Sequence, residues 1–265
     1  MLNIEASNRF FRWEGKELSM QQALITAIDF GSKKLSVAMA ERKKDEIEIL
    51  AVKSCKSIGI EKGLITDVEK CKEAVINLLK ELEEKIQKDI KNISIGISSN
   101  KVRITEITTS IDLAEEKVTS NDIRQALKNG QKSITVSEEE CIIDELINFY
   151  ILDGKVVHKD ILYWKGRKLE ISLTLVIAKK NEIQKYYELF KETKYNIQFI
   201  KLNILTGKQI FLDEKNLIGN VALVDIGAGS TDIALFNTGI PKSVSSIPLG
   251  GNNITNDLSI CGGFS

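Results

Sequence analysis

The sequence predicts an α/β fold, in which a β-meander is followed by alternating helices and strands. Strand patterns occupy residues 24–29, 35–40 and 46–54, and the first of them is continuously apolar. An apolar stripe with helical spacing then runs through residues 66–88. A second unit, with a strand, a glycine-containing turn and a returning strand, begins at Val221. The chain therefore contains two units of similar local design.

The elements after the meander divide the first unit in two. Thr66 and Glu69 form a capping-box pair that predicts the start of the first helix. A short alternating strand follows at residues 93–97. Residues 98–167 then repeat a strand, helix and strand pattern, with a helix that begins at Ser120 or Asn121 and stops at Gly130. We interpret residues 98–167 as an inserted subdomain.

The pattern of the first unit resumes after this insertion. We predict a strand at residues 169–178, a helix at 181–194 and a strand at 197–202. The last unit is predicted to contain three strands and the start of a helix at Asn252 or Asn253, with the strands at residues 221–225, 231–236 and 243–247.

Composition excludes several classes of protein. The 37 basic and 37 acidic residues cancel, so nucleic acid is not predicted as a partner. The cysteines lack a C-x-x-C pair and are interpreted as buried reduced thiols: Cys55, Cys71, Cys141 and Cys261. The single histidine, His158, lies in a polar stretch and is predicted at the surface. No apolar run approaches the roughly 20 residues that span a bilayer, and a signal peptide is not evident, so we expect a cytoplasmic protein.

Residues 1–21 are predicted to be a disordered leader, because they show no sustained period. The alternative is that the aromatic and basic cluster at residues 10–13 dips into a membrane interface.

Two turns carry the residues that could bind a phosphate group or a cation. In the first, an apolar strand ends at Asp29 and is followed by Gly31, Ser32 and Lys33. In the second, a strand ends at Asp225, and the turn residues are Gly227, Ala228, Gly229, Ser230, Thr231 and Asp232. Glycine allows a turn backbone to approach a phosphate and present N–H donors, while carboxylates can hold a hydrated Mg²⁺. A β-hairpin turn explains either segment alone, but two copies favour a nucleotide site.

The two turns resemble the phosphate loops of the actin, Hsp70 and sugar-kinase superfamily. Three further segments resemble the FtsA family within it, over roughly residues 24–256: residues 59–67 (GIEKGLITD), 96–98 (GIS) and 247–252 (IPLGGN). The resemblance implies an actin-like (ribonuclease H-like) ATPase lobe, called 1A, at residues 22–97 and 168–212. It also implies an SHS2-type subdomain 1C at residues 98–167 and an incomplete second lobe, 2A, at residues 213–265.

The same resemblance implies ATP and Mg²⁺ as cofactors. Gly250 and Gly251 join the residues of the two turns as nucleotide-binding residues, and Asp29 and Asp225 would hold Mg²⁺ through water. No catalytic residue is identified, and any ATP turnover would be slow and serve assembly. Ala228 stands where many relatives have glycine, which would cost about 1 kcal/mol if that position needs a positive φ.

The partners implied are FtsZ and other divisome proteins, together with self-association into filaments through subdomain 1C. Membrane association would use a C-terminal amphipathic helix, at the cytoplasmic face of the inner membrane. That helix, most of the FtsZ surface and the adenosine-binding segment are expected beyond Ser265, so we expect a truncated chain with weak affinity for Mg·ATP. Alternatives are a PilM-like pilus assembly adaptor, or another ATPase of the superfamily such as a sugar kinase or Hsp70 relative.

Overall fold

The computed structural model describes residues 23–43, 46–212 and 219–263. The predicted leader and its aromatic cluster lie outside these residues. The first sheet has the strand order β11-β6-β1-β2-β3. Its strands are β1 (Ala23–Phe30), β2 (Lys34–Lys43), β3 (Glu46–Lys56), β6 (Asn92–Ile97) and β11 (Asn196–Leu202). Strands β1 to β3 form the predicted antiparallel meander, while β6 lies parallel to both β1 and β11.

Two helices pack on this first sheet, α1 (Val68–Ile86) and α3 (Lys180–Phe190). Helix α1 is capped by the side chain of Asp67, which accepts a hydrogen bond from the Lys70 N–H, and the predicted cap at Thr66 is wrong. The reason is that the Thr66 N–H donates to the Gly59 carbonyl, so the chain is still extended there. Between β3 and α1 lies a small hairpin of β4 (Ile60–Glu61) and β5 (Leu64–Ile65).

The second sheet has the order β7-β10-β8-β9 and a hydrophobic core of its own. Its strands are β7 (Val102–Asp112), β8 (Glu140–Leu152), β9 (Lys155–Val157) and β10 (Lys168–Lys179). Helix α2 (Ser120–Ser133) packs on it and begins with Thr119 as its cap. The helix does not stop at Gly130 as predicted, because this glycine lets it approach the sheet: a Cβ there would lie 3.0 Å from Leu173 Cδ1.

Strand β10 corrects the predicted boundary at residue 168. We expected this strand to return to the first unit, but it pairs with β7 and β8 over its whole length. Most of its residues are buried on both faces, and this burial does not say which sheet the strand joins. The core of the second sheet contains four residues of β10, Leu169, Ile171, Leu173 and Leu175, whereas Val176 and Ala178 join the core of the first.

The third sheet consists of three antiparallel strands, β12 (Asn220–Ile226), β13 (Thr231–Asn237) and β14 (Ile240–Ile247). Helix α6 (Gly251–Gly262) follows it, and the short helices α4 (Asn203–Thr206) and α5 (Lys208–Phe211) precede it. Ala234 and Phe236 pack into the core of the first sheet. Across the described residues, no helix is both long and apolar enough to cross a bilayer.

The cysteines and the histidine differ in burial. Cys71 is buried, and desolvation raises the pKa of its thiol to about 12, in agreement with the predicted inert thiol. Cys55 and Cys141 are half-buried, and Cys261 is exposed, so the prediction of a buried thiol is wrong for Cys261. His158 is exposed, as predicted.

Candidate functional site

The first turn follows a central strand with a buried face. Strand β1 runs between β2 and β6, and Ile28 and Phe30 on either side of Asp29 are buried. The Asp29 side chain therefore lies on the opposite face of the sheet, where part of it remains exposed to solvent. Gly31 is required by close approach, since a Cβ at this position would lie 2.7 Å from the Lys34 carbonyl oxygen. Lys33 is exposed on the turn.

The second turn joins the antiparallel strands β12 and β13, and Asp225 lies opposite Asp232 in their register. The Gly227 N–H donates a hydrogen bond of 2.9 Å to the Ser230 carbonyl and closes the turn. Ala228 does not have a positive φ. The condition under which alanine would weaken this turn is therefore not met.

The two turns meet. A Cβ added to Gly229 would lie 2.7 Å from Ser32 Oγ and 3.1 Å from the backbone nitrogen of Lys62. Because a Cβ contact below 3.0 Å is not tolerated, only glycine allows the second turn to approach the first this closely. The structure thus brings Ser32 and Gly229 together from positions about 200 residues apart in the chain.

The two aspartates predicted to hold Mg²⁺ face the same region. Partial desolvation is the main cause of a raised pKa for the Asp29 carboxyl, and the negative charge of Asp225 raises it further. Asn203 Nδ2 acts in the opposite direction by donating a 2.8 Å hydrogen bond to Asp29 Oδ1. Gly96 makes room for Asn203, because a Cβ on Gly96 would collide with Asn203 Oδ1 at 2.0 Å. Sequence reasoning missed Asn203, which no motif marks.

Two predicted residues of the second turn face protein groups. Asp232 is buried, and its carboxylate accepts hydrogen bonds from Ser98 Oγ (3.1 Å) and the Ser99 N–H (3.2 Å). Thr231 Oγ1 donates to the Leu249 carbonyl at 2.9 Å. These contacts fix the third sheet to the connection between β6 and β7 and to the segment before α6.

Gly250 and Gly251 support the second turn from the start of α6. The Gly251 N–H donates to the Gly227 carbonyl and the Asn252 N–H to the Ala228 carbonyl, both at 2.9 Å. A Cβ on Gly250 would lie 2.5 Å from the same Gly227 oxygen, so this contact needs glycine. The first N–H groups of α6 are thus paired within the protein.

The hairpin of β4 and β5 also reaches the turns, and sequence reasoning did not place it there. The Gly63 N–H donates a 2.9 Å hydrogen bond to Ser32 Oγ. Gly63 has φ +76°, and a Cβ on it would lie 2.7 Å from Ser98 Oγ and 3.3 Å from Ser230 Oγ. The G-x-x-x-G spacing of Gly59 and Gly63 was a usable signal, because both glycines have positive φ and both pack against neighbouring residues.

The arrangement fits a polyanion with a divalent cation better than a protein-only metal site. Within the described residues, no group of three or more His, Cys, Asp or Glu side chains could hold a metal ion. Asp29 and Asp225 instead repel each other next to two glycine-containing turns and the Ser32 hydroxyl. A hydrated Mg²⁺ on a phosphate chain would satisfy both the carboxylates and the turn donors.

Comparison with known proteins shows which family this chain resembles. The family model described as "Cell division protein FtsA" matches residues 222–264. "Cell division protein FtsA" of Bacillus subtilis (strain 168) is 30% identical over 241 residues, which are 89% of this chain and 54% of that relative. The relative of the same name from Neisseria meningitidis serogroup B (strain ATCC BAA-335 / MC58) is 27% identical over 245 residues, 91% of this chain and 58% of the relative.

The chain is thus similar in sequence to FtsA proteins from two organisms. The resemblance that the turns and residues 59–67 predict is therefore confirmed, and it extends across about nine-tenths of the sequence. The chain spans about half the length of the curated FtsA relatives it matches.

Solved structures confirm the predicted actin-like α/β fold class. A structure titled "PilM-PilN type IV pilus biogenesis complex" has a TM-score of 0.58 at 14% identity, covering 91% of this chain and 66% of that chain. The ethanolamine utilization protein EutJ from Carboxydothermus hydrogenoformans has a TM-score of 0.51 at 11% identity, covering 93% and 59%. At these identities the similarity concerns the fold alone, and the FtsA sequence relatives distinguish this chain from the PilM alternative.

Proposed function

We propose that this FtsA-family chain functions in bacterial cell division and binds ATP with Mg²⁺ between its two turns. The observation that carries the nucleotide assignment is the meeting of the turns: only glycine at position 229 allows the second turn to reach Ser32. The homology to FtsA supports the division role.

Different turn residues would make different contacts with a phosphate chain. The Ser32 and Ser230 hydroxyls and the N–H groups around Gly229 are the donors that phosphate oxygens need. Lys33 would neutralise part of the phosphate charge. Asp29 and Asp225 would hold a hydrated Mg²⁺ through its water ligands, and the cation would supply positive charge against the phosphate oxygens.

Asp232, Gly250 and Gly251 would act as positioning residues in this proposal. Their hydrogen bonds and close contacts hold the second turn against the first sheet, so they act on nucleotide through the turn. Thr231 belongs with them through its bond to the Leu249 carbonyl.

We further propose the lobe organisation of FtsA for this chain. The first and third sheets would be parts of lobes 1A and 2A, and the second sheet with α2 would be the inserted subdomain 1C, ending near Lys179. In this proposal the protein self-associates, contacts FtsZ and other divisome proteins, and works at the cytoplasmic face of the membrane at the division site. The sequence relatives support this assignment, and no described feature favours a sugar kinase or an Hsp70 role.

Isothermal titration tests the nucleotide part. Mg·ATP added to millimolar concentration should bind to the wild-type chain, and Asp29→Asn or Asp225→Asn should weaken that binding about tenfold or more. With EDTA in place of Mg²⁺, the same substitutions should have little effect, because the carboxylates act through the cation. Asp257→Asn, which removes the same charge from the exposed surface of α6, is the matched control. Absence of binding, or equal Mg²⁺ dependence in all variants, would refute the proposal.

A separate experiment tests the division role. A fluorescent fusion of this chain should co-localise with FtsZ rings in dividing cells, and purified chain should co-sediment with FtsZ filaments. A diffuse signal together with no co-sedimentation would remove the support for an FtsZ partner while leaving the nucleotide proposal intact.

A further inference from the structure

We propose that Lys62, at the tip of the β4–β5 hairpin, is a third phosphate-contacting element whose ammonium group pairs with the phosphate chain of the nucleotide. This inference rests on the proposed function, and it assigns a binding role to a residue outside both predicted turns.

The position of the hairpin tip is fixed by contacts with both turns. Gly63 donates to Ser32 of the first turn, and the Lys62 backbone nitrogen lies 3.1 Å from where a Gly229 Cβ would be. Asn100 Nδ2 donates a 3.1 Å hydrogen bond to the Lys62 carbonyl and anchors the tip from the other side. The Lys62 backbone therefore lies where the two turns meet.

The hairpin loop explains the backbone conformation of Lys62 but not the choice of lysine at this position. Residues 62 and 63 form a two-residue loop between paired strands, with φ of 50° and 76°. A loop with two positive φ values strongly favours Asn-Gly or Asp-Gly, and a lysine in the left-handed region costs roughly 1 kcal/mol. The turn geometry therefore does not favour a lysine at position 62.

The positive charge of Lys62 accounts for a lysine at this position. Its side chain is exposed, and no described residue forms a hydrogen bond or ion pair with its ammonium group. A flexible four-carbon stem gives this group reach over the meeting point of the turns. An ammonium group there would add to the charges of Lys33 and Lys34 on the first turn, and would offset the negative charge that a triphosphate adds beside Asp29 and Asp225.

Substitution by asparagine separates the charge from the turn. Lys62→Asn removes the cation but improves the fit to a left-handed position, so the hairpin should be retained. We expect the affinity of the whole chain for Mg·ATP to fall about tenfold, the loss of one charge-assisted hydrogen bond, and that for Mg·ADP to fall less. Lys62→Arg should restore most of the affinity. Lys80→Gln, which removes an exposed charge from α1, is the matched control and should stay within about twofold of wild type.

The outcomes distinguish this inference from the proposed function. If wild-type chain binds neither nucleotide, the nucleotide site itself is wrong and the role of Lys62 falls with it. If wild-type chain binds Mg·ATP and Lys62→Asn binds it equally well, Lys62 is a turn residue only, and the nucleotide proposal stands. Thermal unfolding of each variant, with midpoints no lower than that of wild type, supports reading a loss of affinity as a loss of charge.

Discussion

The two turns share one local design but differ in what holds them. The first ends a central strand: β1 has neighbours on both sides, and Ile28 is 1% exposed. The second ends an edge strand: among the described strands β12 pairs only with β13, and Ile226 is 72% exposed. The first turn is positioned by the sheet beneath it, whereas the second is positioned by contacts from other elements. These contacts come from Asp232 and from the start of α6.

This difference shows that equal motifs do not have equal structural support. The same Asp-x-Gly pattern follows a central strand in one unit. In the other it follows an edge strand and is held by a few hydrogen bonds. Substitutions beneath the first turn should therefore lower stability through lost core packing, while those around the second should lower it through lost hydrogen bonds.

The largest expected effect comes from a matched pair of isoleucines. Ile28→Ala should lower the free energy of unfolding by about 2 to 5 kcal/mol, because it leaves a cavity in the core of the first sheet. Ile226→Ala should cost less than about 1 kcal/mol, because most of this side chain is in solvent. Urea unfolding followed by circular dichroism measures both. Equal losses would contradict the difference in support between the turns.

The next effect concerns the hydrogen bonds that tie the second turn. Asp232→Ala should cost about 1 to 3 kcal/mol, because it leaves the Ser98 hydroxyl and the Ser99 N–H without their acceptor. Asp225→Ala, directly opposite in the register, should change stability little, since none of the described residues donates a hydrogen bond to its side chain. Urea unfolding compares the two variants. Similar losses in the free energy of unfolding would show that the Asp232 hydrogen bonds do not hold the second turn.

A smaller effect tests the turn backbones. Ala228→Gly should destabilise the protein by about 0.4 to 1 kcal/mol, because Ala228 has no positive φ and glycine only adds freedom to the unfolded chain. Gly31→Ala should cost more, since its Cβ would meet the Lys34 carbonyl at 2.7 Å. Thermal unfolding decides the sign, and a stabilised Ala228→Gly variant would restore the expectation that this turn needs glycine.

The smallest expected effect is a change in the pKa of Asp29, near the point where the two turns meet. Asp225→Asn should lower the pKa of Asp29 by removing a like charge, and Asn203→Ala should raise it by removing a hydrogen-bond donor. Desolvation remains in both variants, so neither change should bring the pKa fully to its ordinary value. NMR titration of the carboxyl carbon measures the shifts, and two shifts of the same sign would contradict the arrangement.

The pH dependence of stability has a definite sign here. A carboxyl with a raised folded-state pKa binds more protons in the folded state than in the unfolded chain. Its contribution to stability is therefore largest below the ordinary pKa of 3.8 and falls as pH rises through the folded-state value. Asp225→Asn should make this fall shallower.

Much of the fold could be predicted because the local patterns are strong. The meander, α1 and the hairpin of β12 and β13 form where the apolar spacing and the glycine turns place them. The predictions failed where one pattern allows two structures. The apolar run of β10 fits a central strand of either sheet, and Gly130 fits either a helix end or a close helix–sheet contact.

The sequence by itself determined the α/β class and the two turns, because periodicity and short motifs are properties of neighbouring residues, and the resemblance of those motifs to FtsA implied the actin-like fold. Only the tertiary structure decided that Gly229 meets Ser32, that Asn203 reaches Asp29 and that the β4–β5 hairpin joins them. These contacts depend on backbone approach between distant segments, and a sequence pattern carries no information on distance. The sequence pattern of β10 likewise does not identify its partner strands, and the structure shows that they are β7 and β8 of the second sheet.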